Sequence, residues 1–260
     1  TSQLSTSETL LLETGMLIEK EKNIPYDRFR QRIMFPIRDL RGRVIAFGGR
    51  ILTDEQPKYL NSPETPYFYK GRELYGLYEA RQANRDLPGL IVVEGYLDVL
   101  ALAQYGFTQA VATLGTATSS DHIEKLSRFT NTIIFCFDGD KAGRQAAWRA
   151  LQNALPVLRD TVAINFLFLP DGFDPDSYVR EFGADDFRAL MKEAQPLSHF
   201  MYNHLTEDCA LTTAEGKAKL VDKAMVLLRQ IPQSTLRELL IDELAQLSKM
   251  QRQALMRLLR

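Results

Sequence analysis

The chain reads as an α/β protein, a doubly wound parallel sheet preceded by a mixed α/β basic subdomain and followed by a helical bundle. Three observations predict this. From residue 87 onward four apolar runs of the strand-forming kind alternate with helical patterns, and strands joined by crossover helices imply a parallel sheet with right-handed connections. Between Tyr26 and Ile51 apolar and basic residues alternate around a turn. Beyond Phe182-Gly183 leucines recur at helical spacing and the chain reads as wholly helical. The boundaries that follow are 1–86, 87–182 and 183–260.

Taken in order, residues 6 to 18 carry a helix pattern. Thr6-Ser7-Glu8 supplies the cap and Gly15 a stop after Leu10, Leu11 and Leu12. Ile33, Phe35 and Ile37, then Val44, Ile45 and Phe47, flank Asp39-Leu40-Arg41-Gly42-Arg43, the pattern of a β-hairpin carrying arginines. Pro57 to Pro66 holds too much proline for a helix or a central strand and reads as a loop. Leu90-Ile91-Val92-Val93 is a strand buried on both faces that ends at Glu94, with a helix from Tyr96 to Tyr105 behind it. A second strand runs from Ala110 to Leu114, then a helix capped by Ser119-Ser120-Asp121 reaches Arg128. Thr132 to Phe137 is the third strand, ending in Asp138-Gly139-Asp140, followed by a helix from Ala142 to Leu155. The fourth, Val162 to Leu169, runs into Pro170-Asp171-Gly172-Phe173-Asp174-Pro175-Asp176. In the last region Leu220, Ala224, Leu227 and Leu228, then Leu236, Leu239, Leu240, Leu244 and Leu247, mark two core helices separated by Pro232.

Composition narrows the function classes. At 260 residues, 45% apolar and 25% charged, the chain is an ordinary globular sequence without a membrane-length apolar run, and Thr1-Ser2-Gln3-Leu4-Ser5 does not resemble a signal peptide. A cytoplasmic location is the default expectation. Cys136 and Cys209 are too far apart and too few for a disulfide framework or a CxxC zinc site. The net charge of −1 is unevenly placed, since residues 20 to 72 hold 12 Lys or Arg against 6 Asp or Glu. A basic front followed by an acidic remainder suits a protein that grips phosphates with one part and metal ions with the other. His199 and His204, in the helical region, read as structural or surface residues.

Three of the four strand ends carry acids. Glu94, the pair Asp138 and Asp140, and the pair Asp174 and Asp176 all lie where the carboxyl edge of a parallel sheet opens into a crevice. Carboxylates gathered without compensation repel, and one must take up a proton unless a cation sits among them. Hard oxygen donors without histidine or cysteine favour Mg²⁺ or Mn²⁺, which points to phosphoryl transfer.

Glu94-Gly95-Tyr96-Leu97-Asp98 followed by Asp138-Gly139-Asp140 resembles the TOPRIM signature of primases, topoisomerases and some nucleases. Phe35-Pro36-Ile37-Arg38, Phe47-Gly48-Gly49-Arg50, Pro57-Lys58-Tyr59-Leu60-Asn61-Ser62-Pro63-Glu64-Thr65, Leu74-Tyr75-Gly76-Leu77, Leu114-Gly115-Thr116 and Phe168-Leu169-Pro170-Asp171-Gly172 resemble the catalytic core of the bacterial replicative primase of the DnaG type. The resemblance implies a TOPRIM sheet and DNA-directed synthesis of short RNA primers from ribonucleoside triphosphates on single-stranded DNA. It also implies divalent Mg²⁺ or Mn²⁺, two ions or more, and membership of the primosome in the bacterial cytoplasm.

By the same resemblance Glu94, Asp138 and Asp140 are catalytic, and Glu94, Asp138, Asp140, Asp174 and Asp176 hold metal. Asp98, about one helical turn past Glu94, supports the site from behind it. Arg50, Lys58, Asn61 and Lys70 bind template or nucleotide phosphates, with Arg28, Arg30 and Arg32 as weaker candidates. Tyr59, Tyr67 and Phe68 are placed for stacking or for core packing. Against a full family member, the chain is read as a monomeric core fragment whose first subdomain is incomplete. No zinc is expected in it, and the replicative helicase is expected to bind through a further C-terminal module. A TOPRIM-type nuclease and a non-catalytic nucleic-acid-binding module are the rival readings.

Overall fold

Ser7 opens the first helix, α1 (Glu8–Glu13), by accepting the Leu10 N–H in a computed structural model that describes residues 6–19, 24–53 and 55–259. The signal-peptide reading of Thr1 to Ser5 therefore lies outside the described residues. The helix is shorter than the expected 6 to 18. Gly15 adopts a left-handed φ of 68°, and Leu17–Ile18 (β1) turn away to pair antiparallel with Tyr26–Asp27 (β2). The hairpin is as predicted: β3 (Arg32–Arg38) and β4 (Val44–Ile51) pair antiparallel, with Asp39 Oδ1 accepting the Arg41 and Arg43 N–H groups in the turn. Tyr59–Asn61 (β5) adds a third strand to β4, inside the segment expected to be loop. Pro57 and Pro63 fall just outside its pairing, so the missing N–H groups cost the ladder nothing. A short helix α2 (Leu77–Ala83), not read from the sequence, buries Leu77 and Ala80.

The main sheet is built from β6 (Leu90–Val93), β7 (Ala110–Ala112), β8 (Thr132–Phe137) and β9 (Ala163–Phe168). Between them run α3 (Tyr96–Gln104), α4 (Ser120–Leu126) and α5 (Lys141–Ala154), the last tightening into a 3₁₀ turn at Leu155–Val157. Behind β9 come α6 (Pro175–Lys192) and β10 (Gln195–Pro196), giving the strand order β10-β9-β8-β6-β7. β7, β6, β8 and β9 are mutually parallel, and β10 closes one edge antiparallel to β9.

Because side chains alternate across a strand, each run feeds two apolar layers. Leu90, Val92, Ile133, Phe135, Ile164 and Phe166 face α5 and the C-terminal helices, whereas Ile91, Val93, Cys136 and Leu167 face α3, α6 and the hairpin residues Phe35 and Ile37. The hairpin is thereby seated on the α3 and α6 side of the sheet. Every strand end that bears an acid opens at one edge.

The region beyond Gly183 is not wholly helical, because β10 joins the sheet there. α6 itself continues past Gly183, where φ of 84° and ψ of 179° kink it. The bundle consists of α7 (Leu197–Thr206), α8 (Ala214–Leu228), α9 (Thr235–Ser248) and α10 (Arg252–Leu259). Leu220, Ala224, Leu227, Leu228, Leu240 and Leu244 are buried as expected, but Leu239 is 59% exposed. It stands about 100° round the helix from Leu240, off the face that meets the core. Among the described residues no helix is long and apolar enough to cross a membrane, and both cysteines are unbridged.

Candidate active site at the carboxyl edge of the sheet

A cleft of about 340 Å³ opens between the carboxyl edge of the sheet and the β4–β5 strands, lined by Lys58, Tyr59, Asn61, Glu94, Tyr96, Asp98, Asp138 and Asp174 among others. Parallel pairing puts it there. Glu94 follows β6 directly, Asp138 follows β8, and the loop after β9 returns Asp174 to the same edge. In the Asp-Gly-Asp turn only glycine fits the middle position, since a Cβ on Gly139 would stand 2.0 Å from the Leu169 carbonyl oxygen. That close approach packs the loop after β9 against the acid that ends β8.

The electrostatics report crowding of like charge. Burial, then the charges of Glu94, Asp174 and Asp140, push the Asp138 carboxyl up to about 6. Glu94 is raised by burial and by Asp140, with the Arg149 guanidinium acting against them. Asp98 is pushed up to about 7 by burial and by the charge of Asp174. The Cys136 thiol, beneath these acids, is held far above its ordinary value by burial and by Asp98, Asp138 and Glu94, so it stays neutral. Carboxylates in this condition are a donor set waiting for positive charge.

The acids are not equally engaged. Asp140 caps α5, accepting the Gly143 N–H at 2.7 Å, while its charge still reaches Glu94 and Asp138. Asp174 caps α6, accepting from the Ser177 N–H and hydroxyl. The Asp176 carboxylate is bonded to Arg180 one turn on and is directed to that partner. Asp98 accepts the Gly95 N–H at 3.0 Å and the Asp176 N–H at 3.3 Å, so one buried carboxyl ties the turn behind Glu94 to the start of α6. Among the described residues no three carboxylate, imidazole or thiolate groups form a preformed metal cluster. The donor chemistry nonetheless fits a hard divalent ion, because Mg²⁺ commonly takes only one or two protein carboxylates and fills its remaining positions with water and substrate phosphates.

Of the expected phosphate contacts, Lys58 and Asn61 line the cleft. Asn61 is already bonded on both ends of its amide, accepting from the Tyr96 hydroxyl at 2.5 Å and donating to the Leu114 carbonyl at 2.8 Å. Arg50 lies on β4 opposite Tyr59, with its buried Nε lacking a partner among the described residues. Lys70 is in the segment after β5, where its carbonyl meets His122 Nε2 at 3.0 Å. Arg28 donates to the Gly15 carbonyl, Arg32 to the carbonyls of Gly49, Pro57 and Lys58, and Arg30 stacks on Tyr26. These three hold the basic sheet and its loops. Phe68 is fully buried core, whereas Tyr67 is 79% exposed and Tyr59 faces the cleft.

Three residues of this neighbourhood had no role assigned to them from the sequence. Arg149, on α5, lines a second hollow of about 270 Å³ on the far side of Glu94, with Thr113 and Thr116. Tyr96 roofs the first cleft. His122, wholly buried, accepts the Ser119 N–H at Nδ1 and bonds the Lys70 and Glu73 carbonyls through Nε2. Arg149 is 55 positions from Glu94 in sequence, and only strand register brings the two together.

A parallel sheet with acids at successive carboxyl ends and a basic β-hairpin on one side defines a Toprim-containing protein, and the Toprim-like family model matches residues 91–179. The model for the N-terminal domain of the DNA primase catalytic core matches residues 1–81, and that for the DnaB-helicase binding domain of primase matches residues 198–253. The chain belongs to the DnaG-type DNA primase family. It is 57% identical over 240 residues to a DNA primase of Pseudomonas aeruginosa, covering 92% of this chain and 36% of that protein. The crystal structure of a DNA primase domain from Pseudomonas aeruginosa superposes with a TM-score of 0.95 at 53% identity, covering 99% of this chain and 82% of that one. A DnaG primase catalytic domain solved bound to single-stranded DNA superposes with a TM-score of 0.91 at 50% identity, covering 97% and 80%. The chain thus spans well under half the length of the curated relatives it matches, 36% and 40% in two of them.

Proposed function

We propose that this chain is the nucleotidyl-transfer core of a DNA primase, joining ribonucleoside triphosphates into short RNA primers on a single-stranded DNA template in the bacterial cytoplasm. The observation that carries the reading is the convergence of Glu94, Asp138 and Asp174 in one cleft that also presents Lys58. An isolated acid cluster would serve hydrolysis equally well, but a cation on the adjoining strand pair suits a bound polyanion. The relative solved with single-stranded DNA supports the template assignment. The division of labour follows the ranges 1–86, 87–182 and 183–260.

Glu94, Asp138 and Asp140 are the catalytic acids in this reading. With Asp174 and Asp176 they would hold Mg²⁺ or Mn²⁺, two ions or more. When bound, such ions supply Lewis acidity at the transferring phosphorus and sharpen the attacking 3′-hydroxyl. The chain's own contribution is position and charge. Asp138 and Glu94 keep their negative charge aimed into the cleft, and Asp98 holds the turn behind Glu94 in place. Asp176 would share its carboxylate between the ion and Arg180, which bonds one of its two oxygens. Lys58 in the cleft, with Arg50 and Lys70 as the further cations of this reading, neutralises phosphate without reading sequence, which implies affinity that falls with salt, while Asn61, uncharged, stands beside Lys58 in the cleft lining. The helices within residues 198–253 are assigned to the replicative helicase, on the strength of the family model that covers them, which corrects the expectation that a further C-terminal module alone would carry that contact.

Glu94→Ala and Asp138→Ala test the site on a single-stranded template with labelled ribonucleotides and Mg²⁺. Loss of incorporation with template affinity retained supports the reading. Wild-type incorporation by either variant overturns it, and strand cleavage in place of incorporation would make the site a nuclease.

A further inference from the structure

We infer that Tyr96 and Asn61 form a hydrogen-bonded strut that sets Glu94 against the strand pair carrying Lys58, acting as positioning residues for the reaction proposed above, on which the inference rests. Tyr96 is separated from Glu94 only by Gly95, so seating its ring fixes the backbone close to where the acid projects. That ring is held on three sides. It stacks on Phe35 at 5.1 Å with an interplanar angle of 5°, meets Tyr75 edge-on at 4.8 Å, and lies so close to β4 that a Cβ on Gly48 would fall 2.5 Å from its Cζ. Phe35 and Gly48 face each other across β3 and β4, which makes the seat a feature of the basic hairpin itself.

The hydroxyl completes the link. It is the one polar atom of a side chain 5% exposed, and it donates to Asn61 Oδ1. Asn61 passes the connection on through Nδ2 to the Leu114 carbonyl, in the loop after β7. One amide therefore joins β5, the start of α3 and the β7 loop, the three segments whose ends meet at the cleft. An amide committed in this way is poorly placed to bind phosphate independently of Tyr96. Its chemical effect passes through the geometry of Glu94 relative to Lys58.

The experiment is a double-mutant cycle of Tyr96→Phe and Asn61→Ala on primer synthesis, template affinity and thermal midpoint. Tyr96→Phe keeps the ring and its stacking, so folding is preserved. Each single variant lowers kcat about fivefold, the worth of one neutral hydrogen bond. KM for ribonucleoside triphosphates and Kd for the template stay within about twofold, the signature of geometry rather than binding. The double variant is no slower than Asn61→Ala alone. Wild-type kcat in Tyr96→Phe overturns the strut, as does a raised nucleotide KM in Asn61→Ala with effects that add in the double variant, which would make Asn61 a phosphate ligand. If the wild-type protein makes no primer, the proposed function fails. The strut is then judged by the melting cycle, where additive shifts overturn it and non-additive shifts sustain the link.

Discussion

Replacing Asp138 by asparagine removes one charge from a crowded site at nearly constant shape, and it separates stability from function. The carboxyl sits near 6 instead of its ordinary 3.8, a displacement of about two units that is worth about 3 kcal/mol of unfavourable ionisation in a fully buried site. Asp138 is only half-buried, so solvent screening reduces this to about 1 to 1.5 kcal/mol. For a chain of this length that corresponds to a rise in thermal midpoint of about 2 to 5 °C for Asp138→Asn at pH 8 without metal. The sign with pH follows from a folded-state value above the unfolded one. Ionisation costs the native state nothing below the unfolded pKa, increasingly more between about 4 and 6, and its full amount above 6. The melting difference between variant and wild type is therefore expected to vanish near pH 4 and to open by pH 7. Added Mg²⁺ closes it again by stabilising the wild type more than the variant, and primer synthesis by the variant is lost. A variant less stable than wild type at pH 8 in chelator, or a difference that does not change with pH, would refute the account of the acids as an uncompensated donor set.

Gly139→Ala places a methyl against the Leu169 carbonyl oxygen, and backbone cannot yield as a side chain does. A loss of about 1 to 3 kcal/mol in urea unfolding is expected, with primer synthesis falling as Asp138 and Asp174 are forced apart. His122 is buried and its pKa is lowered, first by desolvation. The unfolded state therefore takes up its proton first, so stability falls as pH drops below about 6.5, and His122→Gln should flatten that part of the melting-versus-pH curve. Leu240→Ala should cost about 2 to 5 kcal/mol, whereas Leu239→Ala, on the exposed flank of the same helix, should change unfolding by no more than about 0.5 kcal/mol.

Much of this molecule was legible from local pattern. Thr132 to Phe137 is a strand in the structure with the bounds read from the sequence, because an unbroken apolar run closed by Asp-Gly has few alternatives. The hairpin was equally clear from its period of two and its Asp-to-Gly turn. Elements with weak or conflicting patterns were harder. α2 carries Tyr78, Glu79 and Arg81 in a stretch with no apolar stripe longer than two contacts, and it is a helix because Leu77 and Ala80 dock on the sheet. Gln195–Pro196 forms a strand only because the edge of β9 offers it partners. Leu239 shows the opposite failure, where a leucine at near-helical spacing met no neighbouring surface.

The sequence by itself determined which chemistry was on offer: acids at successive strand ends, hard oxygen donors all, and a basic front. Those follow from residue type and strand period, which are local properties. Tertiary structure alone decided how the acids divide their work. Parallel register carries Glu94, Asp138 and Asp174 to one cleft, while a helical turn gives Asp176 to Arg180 and a cap gives one oxygen of Asp140 to Gly143. It also decided that Asn61 spends its amide on Tyr96 and Leu114. Such assignments depend on contacts between segments far apart in the chain, and a hydrogen bond is chosen by distance in space, on which spacing in sequence is silent.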